Sequence, residues 1–522
     1  MDNEHKETCE KNHDENSCLL SPLTPEERQE TAFEIRLKAA KFYDKLPLVN
    51  HPCNGDEERY PDKIASYSKA LPHDKLGEVD LHAYRKYIKA LKSGDPQDFE
   101  EIPLGGVKKL VNPQSAYAYE LVGFDNYQLK IPPAPTFSSA QTAAELVELY
   151  WQALARDVPF NEYDTSPITV AAAKELSSLI DFHGPKINEQ VTPQTLFRIN
   201  LPGALVGPYI SQFLWKDVPF VAKNIVQRYI TTVPGDDHLT SYYDWLAVQN
   251  GSKPPSPNVF DPLPRYIRDL RGLTEFVHRD WSVEDGIIPC LILLSYGKAA
   301  LDPNNPYLQS MTQVGFGTFG PPHALDFVSR AAREAINACW FQKWLVHRRL
   351  RPEEYGGRIQ NKLTRDIDYP INNQILNSEA LSLSFQKYGT YLLPQAYAEG
   401  CPTHPSYPSG HATFIGAMVT MLKAFFDESF VIPNPVVASN DGLSLTPYKG
   451  GALTVGGELN KLAYNIAVGR LAAGVHYRVS AEVGLYLGEQ VAIGILRDYK
   501  KTYNEDFKGF KFTKFDGTPI VV

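Results

Sequence analysis

Hydrophobic residues recur at helical spacing along most of the chain from residue 165 onward, and this pattern predicts a mainly α-helical protein. Strand-like alternation is sparse. Its clearest instance is Phe510-Lys-Phe512-Thr-Lys-Phe515 followed by Asp516-Gly517, which predicts a C-terminal hairpin. The fold class is therefore predicted as mainly α, built of helical bundles with minor β hairpins. The predicted helices, separated by Pro-rich loops, cover residues 165–182, 219–231, 286–300, 325–350, 410–427, 457–473 and 480–497.

Two capping-box patterns predict where earlier helices begin. Thr24-Pro25-Glu26-Glu27 combines an N-cap threonine, a proline at the first helical position and a glutamate at N3. Thr142-Ala-Ala-Glu145 repeats the box ahead of an apolar helical face. Two further helices are therefore predicted to begin at these boxes.

The same patterns suggest how the chain is organised. Residues 1–23 are polar and are predicted to form an extended or disordered tail. The remainder, residues 24–522, is predicted to be a single mainly helical domain. Within it we expect a wrapping segment (24–137), a catalytic core (138–500) and a C-terminal hairpin (501–522).

The net charge of the chain excludes one class of binding partner. The 522 residues include 52 Lys and Arg against 61 Asp and Glu, which leaves a net charge of −9. A dedicated nucleic-acid binder would need an excess of cations to neutralise phosphates, so no nucleic-acid partner is expected. The 40 Pro and 35 Gly indicate many shaped loops, which is where sites are usually found.

The six cysteines lack the spacing of a redox dithiol or a zinc site. Cys290 and Cys339 lie in apolar segments, which predicts buried free thiols. Only a Cys9–Cys18 pair or Cys53 is placed to form a bridge.

The N-terminal segment is charged and shows no signal peptide, and apolar runs such as Ile287 to Leu294 are too short to span a bilayer. We predict a soluble protein without a membrane span, cytoplasmic or of unknown location. A mature secreted form that has lost its signal remains an alternative.

A first candidate segment is Lys343-Trp-Leu-Val-His-Arg-Arg-Leu-Arg351-Pro352, at the end of the helix predicted from about residue 325. On one α-helix, eight residues at about 100° each place Arg351 within about 80° of Lys343, so both cations can face one point. Pro352 predicts that the helix ends at Arg351. A solvated basic helix end is the alternative.

A second segment is Pro408-Ser409-Gly410-His411, followed by an apolar helix. With Ser409 as N-cap, the free backbone N–H groups after it form an anion site that Gly410 lets a ligand approach closely. His411 is placed to exchange a proton with the bound group. An ordinary helix start is the alternative.

A third segment is Gly469-Arg470-Leu-Ala-Ala-Gly474-Val-His476-Tyr-Arg-Val-Ser480. On one continuous helix Arg470 and His476 would lie about 120° apart, on different faces. Gly474, as a left-handed C-cap, can end the helix and turn His476 back toward Arg470. Ser480 is predicted to cap the next helix, and a purely structural histidine is the alternative.

Together these residues resemble, in order, the pattern of the vanadium-dependent haloperoxidase and type 2 acid phosphatase superfamily: KX(6–7)RP, PSGH and RX5HX3D. Seven residues separate Lys343 from Arg351, which is similar to the bromoperoxidases of algae and cyanobacteria. The resemblance covers roughly residues 140–500. It extends to the segments Glu148–Phe160, Gly207–Phe213, Glu275–Asp280 and Gly315–Gly320.

The resemblance implies a helical haloperoxidase fold with a vanadate cofactor. It implies oxidation of bromide or iodide by hydrogen peroxide to hypohalous acid, which halogenates small organic nucleophiles. His476 would be the vanadium ligand, and His411 would deprotonate the peroxide. The resemblance assigns the vanadate oxygens to Lys343, Arg351, Ser409, Gly410 and Arg470, with Lys343 also assisting catalysis.

Three further residues enter by resemblance. His404 stands where bromoperoxidases have histidine and fungal chloroperoxidases have phenylalanine, which favours bromide and iodide over chloride. Asp280 is a candidate partner that raises the basicity of His411, with helix capping as the alternative. Gln342 is a candidate for the halide site, with plain helix packing as the alternative.

One position departs from the pattern, because Ser480 stands where the superfamily has aspartate. A hydroxyl could accept from the His476 ring, but it supports the charge of that ring less than a carboxylate does. Two other functions remain: an acid phosphatase of the same superfamily, and a catalytically silent anion-binding or assembly protein. By resemblance we also expect a dimer-based homo-oligomer, with a dodecamer as one candidate size, and a structural calcium stays open.

Overall fold

The computed structural model describes residues 18–522, so most of the predicted polar tail, with Cys9, lies outside the described residues. In the described part the protein is mainly helical with three two-stranded antiparallel sheets, as predicted. The α-helices are α1 (Pro25–Asp44), α2 (Asp56–Arg59), α3 (Leu81–Ser93), α4 (Pro96–Glu100), α5 (Ala140–Leu154), α6 (Pro167–Ser178), α7 (Tyr242–Gln249), α8 (Leu270–Arg279), α9 (Glu284–Ser295), α10 (Pro321–Trp340), α11 (Pro352–Arg365), α12 (Asn373–Leu376), α13 (Glu379–Tyr388), α14 (Gly410–Phe425), α15 (Val455–Ala472) and α16 (Arg478–Tyr499). A π-helix, Phe341–His347, continues α10.

The strands are short and pair as hairpins. They are β1 (Val218–Phe220), β2 (Lys223–Ile225), β3 (Val436–Ala438), β4 (Leu445–Pro447), β5 (Lys511–Thr513) and β6 (Pro519–Val521). The predicted C-terminal hairpin is confirmed, with Phe512 opposite Ile520 and Gly517 at a φ of 84° in its turn.

Helix α14 is the centre of the fold, because all its residues except His411 are buried and it packs against α10, α15 and α16. Its contact with α16 is close. A Cβ at Gly488 would overlap the carbonyl oxygen of Thr413, and one at Gly484 would lie 2.9 Å from the carbonyl oxygen of Ser409. Small residues on α16 therefore set the distance between that helix and the start of α14.

One helical stretch among the described residues, Arg478–Thr502, is long and apolar enough to cross a membrane. Of its apolar window, 72% is buried inside the protein. It includes α16, which packs on α14, so its apolar sequence is that of a core helix of a globular fold.

Several local predictions are confirmed. The capping box at Thr24 begins α1, Ser409 is the N-cap of α14, and Gly474 has a φ of 82° just after α15. Cys290 and Cys339 are buried free thiols.

Three local predictions are wrong. Residues 219–231 contain no helix, because Val221 turns the chain at a φ of 58° and residues 218–225 form the β1–β2 hairpin. Helix α5 begins at the N-cap Ser139, whose side chain accepts from the N–H of Thr142, so the predicted N-cap lies at N3. Ser480 does not cap α16, since Tyr477 precedes its first residue.

Candidate active site

The three segments singled out from the sequence converge at the start of α14. Lys343 lies in the π-helix, and Arg351 is the N-cap of α11. Ser409 is the N-cap of α14, Arg470 lies in the last turn of α15, and His476 lies in the turn before α16.

The geometric reason predicted for Lys343 and Arg351 is wrong, although they do meet. The α-helix ends at Trp340, and the π-helix that follows carries Lys343. Arg348 then takes a left-handed conformation with a φ of 38°, and the chain reaches Arg351 in extended form. A break in the helix, not a shared helical face, therefore places the two cations together.

Arg351 is the hub of the cluster. Its Nη1 lies 3.0 Å from Nε2 of His476, and its Nη2 lies 3.0 Å from Nδ1 of His404. Its Nε and Nη1 also donate to the carbonyl oxygens of His404 and Val475, at 2.9 and 2.7 Å. Lys343 donates from Nζ to the carbonyl oxygens of Pro405 and Ser406, at 2.7 and 3.1 Å.

Among the described residues, no carboxylate forms an ion pair with the cations of this cluster. Lys343 and Arg351 have no exposed surface and Arg470 is 6% exposed. Across residues 18–522, none of the three forms a salt bridge, and the Nε of Arg470 has no hydrogen-bond partner. Buried charges normally have partners because desolvation is costly, so the arrangement indicates a site for an anion.

The start of α14 supplies neutral donors to the same point. The side chain of Ser409 accepts from the N–H of Ala412, and its own N–H donates to the carbonyl oxygen of Ser480 at 2.8 Å. The N–H groups of Gly410 and His411 have no acceptor in the described chain. They lie at the positive end of the helix dipole, which favours an oxyanion.

Electrostatics keeps His476 neutral. Burial, together with Arg351, Lys343 and Arg470, holds its pKa well below the ordinary value. A neutral imidazole is the form that ligates a metal. Burial also lowers the pKa of Lys343 well below its usual range, with Arg351 and Arg470 adding to the effect.

The hydroxyl of Ser480 does not orient His476. Both the hydroxyl oxygen and Nδ1 of His476 are buried, and neither has a partner among the described residues. Ser480 acts instead through its backbone, because its carbonyl oxygen accepts from the N–H of Ser409.

His411 and Asp280 are brought together from positions 131 residues apart, with Nε2 of the imidazole 3.2 Å from Oδ1 of the carboxylate. Burial lowers the pKa of His411, and Asp280 opposes part of that effect. Burial alone would raise the pKa of Asp280, but His411 and Arg470 hold it below its ordinary value.

These two residues, with Arg470 and Phe414, line a cavity of about 370 Å³. His411 is the site residue most open to it, with its side chain 22% exposed.

The other two candidate residues, His404 and Gln342, differ in whether they join the cluster. His404 joins the cluster: it is 8% exposed, bonds Arg351 and packs on Trp340, with ring centroids 4.8 Å apart. Gln342 does not join the cluster. Its side-chain amide donates to the carbonyl oxygen of Leu129 at 2.7 Å, so it has the packing role given above as the alternative.

Sequence reasoning missed three residues that line the cavity: Tyr397, His278 and Glu399. Tyr397 accepts at its hydroxyl from Nη1 of Arg470 at 3.1 Å, and its ring stacks on His278 at 3.8 Å between centroids. His278 in turn lies 2.7 Å from Oε1 of Glu399. No local motif surrounds Tyr397, so only tertiary contact reveals it.

Within the described residues, no group of three or more His, Cys, Asp or Glu side chains is placed to hold a metal ion. A metal bound through one imidazole, with its oxygen atoms held by cations, does not require such a group. The site therefore suits an oxyanion rather than a bare cation.

Comparison with known proteins places these features in context. Residues 324–505 match the family model described as the VCPO second helical-bundle domain. The chain is 37% identical to a vanadium-dependent bromoperoxidase of Ascophyllum nodosum, over 96% of this chain and 93% of that protein. It is 34% identical to one of Corallina officinalis, over 95% of this chain and 98% of that protein.

A solved structure agrees in fold. The second vanadate-dependent bromoperoxidase of Ascophyllum nodosum, described as homohexameric, superposes with a TM-score of 0.92 at 30% identity. The match covers 96% of this chain and 91% of that one.

Proposed function

The chain belongs to the vanadium-dependent bromoperoxidase family, and from that premise we propose that it uses hydrogen peroxide to oxidise bromide and iodide to hypohalous acid. The acid halogenates small organic nucleophiles. The observation that carries this proposal is the set of three buried cations that form no salt bridge within the described residues, gathered around a neutral histidine.

The cofactor is vanadate, and the residues present fit it. His476 would hold the vanadium, because its lone pair is kept free of protons. Lys343, Arg351 and Arg470 would offset the negative charge of the oxygens. Ser409 and the N–H of Gly410 would bond them at the start of α14. Bound vanadate supplies the Lewis acidity that makes a peroxide oxygen electrophilic toward halide.

His411 moves the proton. With Nε2–H donated to Oδ1 of Asp280, Nδ1 carries the lone pair and can take a proton from hydrogen peroxide. The lowered pKa of His411 keeps this base unprotonated at neutral pH. Asp280 orients the ring and stabilises the imidazolium that forms.

Lys343 and Arg351 act by charge. Both are fixed by backbone carbonyl oxygens, at Pro405 and Val475 among others, so they need no reorganisation during the reaction.

His404, which lies between Arg351 and Trp340, contributes to a preference for bromide and iodide over chloride.

The test compares two activities of the purified chain. With added vanadate, peroxide and bromide, it should brominate monochlorodimedone; without vanadate, it should show no comparable hydrolysis of p-nitrophenyl phosphate. Absence of bromide-dependent activity after vanadate loading overturns the proposal. Phosphatase activity alone would assign the site to the other branch of the superfamily.

We further propose a homo-oligomer built from dimers, supported by the homohexameric relative and by the exposed helix α1. The cytoplasmic location expected from the N-terminal sequence stays a prediction.

A further inference from the structure

Behind His411 the structure places a second buried carboxyl group, Asp285. It lies in the first turn of α9 and is 1% exposed. Five residues earlier, Asp280 ends α8 with its side chain 4% exposed. The intervening turn is closed by the N–H of Glu284 donating to the carbonyl oxygen of Trp281 at 2.8 Å. The turn brings the carboxyl groups of Asp280 and Asp285 within hydrogen-bonding reach.

The hydrogen bonds around this pair do not balance if both groups are ionised. Neither oxygen of Asp285 has a donor in the described chain, and Oδ2 of Asp280 has none either. If both carboxylates were ionised, these oxygens without donors would combine the cost of desolvation with mutual repulsion. A single proton between them converts that repulsion into a charge-assisted hydrogen bond.

The surrounding charges decide which group carries the proton. Asp280 faces His411 and Arg470, both of which stabilise its ionised form. Among residues 18–522, the titratable groups that face Asp285 are Asp280, Glu284 and the neutral phenol of Tyr229, whose hydroxyl is already donated to Gln227. Burial and Asp280 together raise the pKa of Asp285 well above its ordinary value.

We propose that Asp285 is a positioning residue for His411: as a neutral carboxylic acid it donates its O–H to Oδ2 of Asp280. Oδ2 is then occupied, and Oδ1 remains for Nε2 of His411 at 3.2 Å. The chain of contacts runs from Asp285 through Asp280 to His411, and it fixes the tautomer that leaves Nδ1 unprotonated. The inference rests on the proposed role of His411 as the base.

The charged residues that face His411 are Asp280, Arg470 and Lys343, and substitutions at Asp285 leave all three of these residues in place. Asp285→Asn keeps a donor of similar shape but cannot ionise, whereas Asp285→Ala removes the donor. Glu284→Gln, on the same turn of α9, is the matched control for loss of a carboxyl group.

The first measurement needs no activity. We compare infrared spectra of the vanadate-free parent protein and its variants. The parent should show the C=O stretch of a protonated carboxyl group, which Asp285→Asn should remove and Glu284→Gln should leave in place. A spectrum in which Asp285→Asn removes no such band overturns the inference. Since this readout is independent of bromide oxidation, it separates failure of the inference from failure of the proposed function.

The second measurement is the pH profile of kcat/KM for peroxide. Asp285→Asn should stay within about twofold of the parent with the same profile, and Asp285→Ala should fall about tenfold, as supporting residues typically do. Equal losses in both variants would mean that the charge of Asp285 is needed, which contradicts the inference. Asp285→Ala within twofold of the parent would contradict it as well. If Asp285→Ala does not fold, as judged by circular dichroism, the spectrum and Asp285→Asn decide.

Discussion

At the scale of single residues, the site is defined by buried cationic side chains that form no salt bridge among the described residues. Lys343, Arg351 and Arg470 are buried together although Arg351 and Arg470 both disfavour the ionised form of Lys343. Burying such a cluster is costly, and a bound anion offsets that cost. In the proposed function, the neutral imidazole of His476 among the three cations bonds directly to the bound group.

His476→Ala should abolish tight retention of vanadate, because it removes the only bond to the metal. We expect affinity to fall more than about a hundredfold, beyond the usual loss for a residue that merely supports a ligand. Vanadium content after gel filtration measures this, with His278→Ala as the control that should retain vanadium. Unchanged stoichiometry in His476→Ala would contradict the assignment.

Asp280→Asn should move the acid limb of kcat/KM for peroxide to lower pH. Asp280 raises the pKa of His411, so its neutralisation lowers that pKa further, and the base stays unprotonated to a lower pH. The plateau should drop about tenfold, since the imidazole loses its orientation and charge support. A limb that stays in place, or moves to higher pH, would show that Asp280 does not act on His411.

Ser480→Ala should change vanadate affinity by less than about threefold and should not reduce stability. The hydroxyl is buried without a partner, so its removal leaves no donor or acceptor unsatisfied. Ser409→Ala is the contrasting variant, expected to cost about 1 kcal/mol through loss of the N-cap. Chemical denaturation and vanadate titration test both, and a large loss in Ser480→Ala would restore the role predicted from the motif.

At the scale of elements, the site depends on how closely α16 approaches α14. Glycines on α16 let the carbonyl oxygens of Ser409 and Thr413 lie against its backbone. The N-terminus of α14, with its free N–H groups, is thereby fixed against the turn that carries His476.

Gly488→Ala should therefore lower the free energy of unfolding by about 1–3 kcal/mol, the usual range for overpacking. Its Cβ would overlap the carbonyl oxygen of Thr413 and lie 2.6 Å from the amide nitrogen of Ala417. Vanadate affinity should fall with stability, because α14 must shift. Gly451→Ala, where a Cβ meets open space, is the control, and equal stability of the two variants would contradict the packing argument.

At the scale of the whole molecule, α1 indicates assembly. Only Tyr43 of this 20-residue helix is buried, and Phe33 is 54% exposed. We expect light scattering after size exclusion to give at least twice the chain mass of 58.5 kDa. Phe33→Asp should shift the protein toward smaller species, whereas Arg36→Asp on the same helix controls for added charge. A monomer at micromolar concentration would contradict the proposal.

The sequence alone predicted the features that depend on a few neighbouring residues. The helical class, the caps at Thr24 and Ser409, the left-handed Gly474 and the C-terminal hairpin all follow from short-range periodicity and backbone preference. The order of motifs also identified the family. Local patterns failed where the surroundings override them, as in the hairpin predicted as a helix at 219–231 and the N-cap that moved from Thr142 to Ser139.

Only the tertiary structure decided which residues of those motifs contact each other and how. Lys343 and Arg351 meet because a π-helix carries the first and the second is the N-cap of α11, not because they share a helical face. Ser480 contributes only its backbone carbonyl oxygen, which accepts from the N–H of Ser409. The tertiary structure also placed Asp280 beside His411, and Asp285 beside Asp280. The physical reason is that partnership and desolvation depend on the tertiary arrangement of segments that can lie far apart in the chain, such as Asp280 and His411, 131 residues apart, and no local pattern encodes that arrangement.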